Sequence, residues 1–258
     1  GAFALLLEQD PRCSQVVAVS RQSQPGLDLC DEDSIAACAQ ALSAQAPFHL
    51  VIDATGALTV NGRGPEKKSD ELEGAQMLDL LQLNAVGPAL LLKHVTPLLA
   101  TGQRVIWAKL SARVGSIEDN RKGGWYGYRA SKAALNQLVR TAAIEHARRN
   151  PLSLVVTLHP GTVDTQLSKP FQRGVPELFD PATSARHLLG VLAHGQTGAR
   201  LTVARQRRAD QHRRTKGGKS GQTLGSGLGA GGLEEDLAHF FVQRDRCIGG
   251  GIHATGNY

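Results

Sequence analysis

The feature that most constrains this chain is a regular alternation between short apolar runs rich in β-branched residues and longer segments of helical period. Residues 15–20 (Gln-Val-Val-Ala-Val-Ser), 48–53, 104–108 and 152–158 are the apolar runs. Their length suits strands buried on both faces of a sheet. Around them, residues 2–9, 31–45, 75–100, 127–149 and 182–194 repeat apolar side chains at helical spacing. The segment at 31–45 opens with Asp31, Glu32 and Asp33, carboxylates that favour the positive end of a helix dipole. Strand-helix alternation of this kind predicts an α/β architecture. The expected form is a doubly wound parallel sheet with right-handed crossovers and helices on both faces.

With 258 residues the chain has the size of one α/β domain, and 41% hydrophobic and 20% charged residues are ordinary for a globular protein. No apolar run reads as long enough to cross a bilayer. The apolar opening at residues 2–7 is followed by Glu8 and Asp10, unlike a signal peptide. Cys13, Cys30, Cys38 and Cys247 lack metal-ligand spacing, so no metal is expected, and they read as reduced thiols of a cytoplasmic protein.

The net charge of +6 is concentrated between Arg200 and Lys219. The chain therefore divides into a Rossmann-type domain, 1–199, and a basic Gly/Arg-rich tail, 200–258. Residues 205–232 carry no apolar periodicity and are expected to be disordered, because they bury too little to offset their ordering entropy. A short helical signal follows at 233–242. Nucleic-acid binding through the tail is disfavoured, since few aromatics are interleaved with its basic residues.

In doubly wound sheets ligands bind beyond the carboxyl ends of the strands. Ser20-Arg21, Asp53 to Gly56, Ser111 to Ser116 and Pro160 to Thr165 stand at those ends. Tyr128 and Lys132 are four apart and share one helix face. A free phenol titrates near pH 10, approximately, and an adjacent ammonium would favour the phenolate and make it a usable acid-base catalyst. The same spacing also describes a solvated helix face, so the pair alone leaves both readings open.

Around that pair, Gly115-Ser116-Ile117, Asp119-Asn120, Gly123-Gly124-Trp125-Tyr126 and Tyr128 to Asn136 closely resemble the short-chain dehydrogenases/reductases, and most closely their C-factor and sniffer-like carbonyl reductase branch. The likeness covers roughly residues 1–195. It implies reduction of a carbonyl to an alcohol, or the reverse, by hydride transfer with NADP(H) or, as the alternative, NAD(H). It further implies that Tyr128 is the general acid, Lys132 supports it and holds the nicotinamide ribose, and Asn84 of Asn84-Ala85-Val86-Gly87-Pro88 anchors a relay water. From the residues alone, Asn84 is a polar position where Gly87 and Pro88 disturb a helix.

The resemblance also implies a cofactor surface of Asp28, Ala54, Gly56, Pro160, Gly161, Val163 and Thr165, with Tyr128 and Lys132. Without it, Pro160-Gly161 is a plain strand-ending turn. Arg21, directly after the first apolar run, suits the 2′-phosphate of NADP(H), where a carboxylate would suit a 2′-hydroxyl; it also reads as a surface arginine. Family members carry two serines after the third run, the second one active. Here Ser111 is followed by Ala112, so Ser111 is the nearest hydroxyl to polarise a carbonyl and Ser116 the next, each reading equally as a turn or cap serine.

The family's glycine-rich phosphate loop, which follows its first strand, has no counterpart after Gly1. The expectation is that Gly1 ends that loop and that the upstream strand is missing. A central strand lost from a parallel sheet leaves two rows of backbone groups to be satisfied. Beyond about residue 199 the text departs from the resemblance and reads as a foreign extension. Expected partners are a small carbonyl or alcohol and a second copy, as homodimer or homotetramer, with neither membrane nor nucleic acid. The alternative function is an inactive, cofactor-binding or C-factor-like signalling protein, favoured by Ala112.

Overall fold

The computed structural model describes residues 1–194, 204–205 and 239–244. Its sheet has six strands: β1 (Cys13–Val19), β2 (Leu50–Asp53), β3 (Val105–Leu110), β4 (Ser153–His159), β5 (Ala204–Arg205) and β6 (His239–Arg244). They lie in the order β1-β6-β2-β3-β4-β5. The helices are α1 (Ala2–Glu8), α2 (Glu32–Leu42), α3 (Gly74–Leu81), α4 (Gly87–Val95), α5 (Tyr126–Arg149) and α6 (Pro181–His194). Each expected strand and helix through residue 194 is present, with ends shifted by a few residues. The run at 48–53 begins pairing as a strand only at Leu50, while Phe48 makes a separate parallel bridge to Leu99.

Side-chain alternation along the central strands builds the two layers. Val51, Trp107 and Val155 join Ile35, Leu42, Leu91, Val95, Leu135 and Val139 of α2, α4 and α5 in one apolar cluster. Their neighbours Ile52, Ala108 and Val156 point the other way, into a second cluster with Phe3 and Leu7 of α1 and Leu188 and Leu192 of α6. Helices on both faces of a mainly parallel sheet make the fold a doubly wound α/β sheet, as the sequence pattern predicts. Asp31 caps α2 through its carboxylate on the N–H of Asp33 at 3.0 Å.

Two expectations are corrected by β6. The sheet is not wholly parallel: β6 runs antiparallel to both β1 and β2, with Val19 and Asp53 both paired to His239. The helical reading of 233–242 fails over 239–242, which are strand, while 233–238 lie outside the described residues. The reason is tertiary. The facing edges of β1 and β2 each present a row of backbone donors and acceptors, and a strand between them satisfies both rows. Phe241 adds apolar burial, its ring 5.3 Å from that of Phe48. Arg205 ends β5, and residues 206–232, where disorder is expected, lie outside the described residues.

Residues 75–100 read as one helix. The structure interrupts α3 and α4 with a π turn, Gln82–Val86, and the continuous stretch Gly74–Leu98 is long and apolar enough to cross a membrane by length and composition. That differs from the expectation of no such run, because the apolar residues are there spent on packing against α5 and α2.

Candidate active site

The long helix α5 carries the pair that drew attention in the sequence. Tyr128 and Lys132 are both buried, and the ammonium lies 5.7 Å from the centre of the phenol ring. The nearest surroundings of Lys132 are Gly56 and Asn84: a Cβ on Gly56 would sit 3.1 Å from Lys132 Nζ and 3.2 Å from Asn84 Oδ1. Lys132 also donates to the carbonyl of Leu110 at 3.4 Å. Residues from the ends of β2 and β3, the π turn and α5 thus converge at one point.

Burial dominates the electrostatics. It pushes the Tyr128 phenol up to about 12. Lys132 is pushed down to about 7, first by burial and then by the charge of Lys109, with Asp53 opposing. The phenol's shift runs opposite to the expected lowering by the ammonium, because withdrawing the phenolate from water costs more than a partly discharged lysine returns.

Asn84 sits in the π turn, a widening often found at functional positions. Its side chain forms a two-point bond with Ala57, accepting from the N–H at 2.8 Å and donating to the carbonyl at 2.8 Å. It also donates to Ser131 Oγ at 3.1 Å, and Ser131 in turn donates to the Tyr128 carbonyl at 2.9 Å. Asn84 therefore ties the loop after β2 to the turn of α5 that holds Tyr128 and Lys132.

Ser111 is tied to two other elements. Its hydroxyl donates to Asn136 Oδ1 at 2.8 Å, and its N–H to the Leu158 carbonyl at 2.7 Å. Asn136 lies eight residues beyond Tyr128, about 12 Å along the helix. The hydroxyl thus ties the end of β3 to the middle of α5. Ala112, which follows Ser111, is extended at φ −143° and ψ 152°.

The structure adds a group that was not singled out. Lys109, in the interior of β3, pairs with Asp53 at 2.8 Å with both side chains fully buried. The ammonium also donates to the Thr55 carbonyl at 2.7 Å and hydroxyl at 2.9 Å. Burial lowers the pKa of Lys109, and Asp53 opposes that shift. A lysine inside the strand text Val-Ile-Trp-Ala-Lys-Leu was the available signal, since unpaired lysines are almost never fully buried. Glu66 is a second, reached from a loop with no sequence signal: it is 3% exposed and accepts from the N–H of Gly127, next to Tyr128, at 3.1 Å.

The expected cofactor surface lies at the same sheet end. Arg21 is exposed two residues beyond β1, where the N–H of Leu27 donates back to the Ser20 carbonyl at 2.9 Å. Asp28 receives the N–H of Cys30 at 2.8 Å on its carboxylate. Ala54 and Gly56 follow β2, and Gly56 takes φ +148°, a backbone that side chains disfavour. After β4, the Pro160 carbonyl accepts from Ser184 of α6 at 2.8 Å and Gly161 takes φ +79°. Val163 bridges to Phe179, and the Thr165 carbonyl accepts from Ser168 Oγ at 3.1 Å. Lys132 stands beside Gly56.

A family model described as Enoyl-(Acyl carrier protein) reductase matches residues 7–204. The chain belongs to the short-chain dehydrogenase/reductase family. Among curated members of that family, it is 32% identical over 167 residues to the 1-hydroxy-2-glutathionyl-2-methyl-3-butene dehydrogenase of Rhodococcus sp. (strain AD45), covering 64% of this chain and 69% of the relative. It is 36% identical over 100 residues to the C-signal of Myxococcus xanthus, covering 39% of this chain and 59% of the relative. Among solved family structures, a short-chain dehydrogenase/reductase from Burkholderia multivorans with bound NADP is 29% identical with TM-score 0.56, covering 65% and 67% of the two chains. The carbonyl reductase Sniffer of D. melanogaster shares the fold, with TM-score 0.59 at 21% identity over 74% and 85%. By descent the chain is an NAD(P)-dependent oxidoreductase.

Proposed function

We propose that the protein is an NADP(H)-dependent reductase that converts a small ketone or aldehyde to an alcohol, with Tyr128 as the proton donor. The observation that carries this reading is the convergence of Tyr128, Lys132, Asn84 and Gly56 at the carboxyl end of the sheet. The Burkholderia relative binds NADP, and Arg21 after β1 supplies a cation for a 2′-phosphate. When bound, the cofactor supplies the hydride that reduces the carbonyl carbon.

The chain's own residues do the rest. A phenol held protonated at neutral pH donates its proton to the carbonyl oxygen as negative charge develops there. Lys132 stands beside that ring and holds the nicotinamide ribose, and Asn84, at the π turn, connects the site to the relay of protons. Arg21, Asp28, Ala54, Gly56, Pro160, Gly161, Val163 and Thr165 form the cofactor surface. Ser111, whose hydroxyl donates to Asn136, is the nearest hydroxyl to polarise the substrate carbonyl. A second copy of the chain is the expected oligomeric partner, in a cytoplasmic setting.

NADPH oxidation with a panel of small carbonyls tests the reading, and Tyr128→Phe should lower kcat on the order of 10²–10⁴-fold. Activity insensitive to that substitution defeats the assignment. The commitment of Ser111 to Asn136, with Ala112 beside it, favours a second reading as a cofactor-binding protein without turnover. NADPH binding without turnover of any carbonyl selects it.

A further inference from the structure

The first turn of α5, which carries Tyr128, is not capped by the side chain of the residue before it. Trp125 precedes the helix in the left-handed region, at φ 57° and ψ 43°, and makes no side-chain cap hydrogen bond. The cap comes from a loop 61 residues earlier in the chain. Glu66 Oε2 accepts from the N–H of Gly127 at 3.1 Å, and the Glu66 carbonyl accepts from the N–H of Trp125. The fit is close: a Cβ on Gly127 would lie 2.9 Å from both Glu66 Oε1 and Leu80 Cδ1, and one on Gly124 would lie 3.3 Å from the Lys67 carbonyl. From the other flank, Arg129 donates to the carbonyls of Gly124 at 2.9 Å and Gly123 at 3.2 Å.

Glu66 Oε1 is buried and has no hydrogen-bond partner among the described residues. Half of the carboxylate is thus desolvated without return, a cost that an apolar side chain would avoid. What the other half gains is a fixed first turn. Trp125, held left-handed by that turn, meets Tyr128 edge-on at 6.2 Å and Phe171 at 5.0 Å.

We propose that Glu66 is a positioning residue for the reductase reaction, its buried carboxylate fixing the first turn of α5 and with it the reach of the Tyr128 phenol. The proposal rests on the reductase reading. A proton donor displaced by about 1 Å loses on the order of 10²-fold in rate, and a frayed first turn displaces Tyr128 directly.

The test compares Glu66→Ala, Glu66→Asp and Glu66→Gln in the full chain, measuring kcat, KM and hydrogen exchange at the Gly127 and Trp125 amides. Gln keeps an acceptor at the Gly127 N–H; Asp keeps the charge but falls one methylene short. Ala and Asp should speed Gly127 exchange and lower kcat by about 10- to 100-fold, with KM for NADPH unchanged. Gln should preserve both protection and most of kcat. If Glu66→Ala fails to fold, Asp against Gln decides alone. Wild-type kcat in a variant whose Gly127 amide has lost protection overturns the proposal, as does loss of kcat in a Gln variant that keeps it. No turnover by the unsubstituted chain instead removes the reductase reading, and the positioning role with it.

Discussion

Lys109 Nζ and Asp53 Oδ1 lie 2.8 Å apart with both side chains closed to solvent, joining the ends of β3 and β2 beside Lys132. All three ammonium protons are engaged, by Asp53 and by the Thr55 carbonyl and hydroxyl. Removing one partner strands a buried charge. Lys109→Met should destabilise the fold by about 3–5 kcal/mol, and the double variant Lys109→Met/Asp53→Leu should recover much of that loss. Urea unfolding checks both; a single variant as stable as the parent contradicts the pairing.

Lys132 gives the stability a pH signature. Its folded value of about 7 lies below the ordinary 10.5, so between those values the unfolded chain binds a proton that the folded chain does not. Stability therefore rises with pH across that window, by up to about 1.4 kcal/mol per unit. Tyr128 acts oppositely at higher pH: with its value raised from 10.0 to about 12, stability falls between them. Subtracting the unfolding curve of Lys132→Met at each pH should isolate the rising limb, and a flat difference would contradict the depressed value.

Ser111 and Ala112 should trade structural and catalytic effects. Ser111→Ala leaves Asn136 Oδ1 without the hydroxyl that donates to it, costing about 1–3 kcal/mol of stability, with kcat changed less than about tenfold. Ala112→Ser restores a hydroxyl at the second position after β3 and should raise kcat. Steady-state kinetics with matched denaturation curves separate the two.

Cofactor choice should turn on Arg21. Exposed just beyond β1, it is suited to a 2′-phosphate by a charge-assisted contact. Arg21→Ala should raise KM for NADPH by on the order of tenfold, as loss of a charged hydrogen bond implies, and leave that for NADH nearly unchanged. Equal effects on the two cofactors contradict the assignment.

The order of strands and helices, the doubly wound fold and the Tyr128/Lys132 pair were legible in the residues alone, because each depends on local period or on spacing within one helix. The disturbance at Asn84 was legible for the same reason, from Gly87 and Pro88 nearby. Three other features were not. β6 is a strand because the facing edges of β1 and β2 need partners, a demand set more than 180 residues earlier in the chain. Ser111 is held by Asn136, and the first turn of α5 by Glu66, through contacts across different elements. The direction of the Tyr128 and Lys132 shifts belongs with these: neighbouring charges can be guessed from spacing, whereas the loss of water around them exists only once the chain has closed over both.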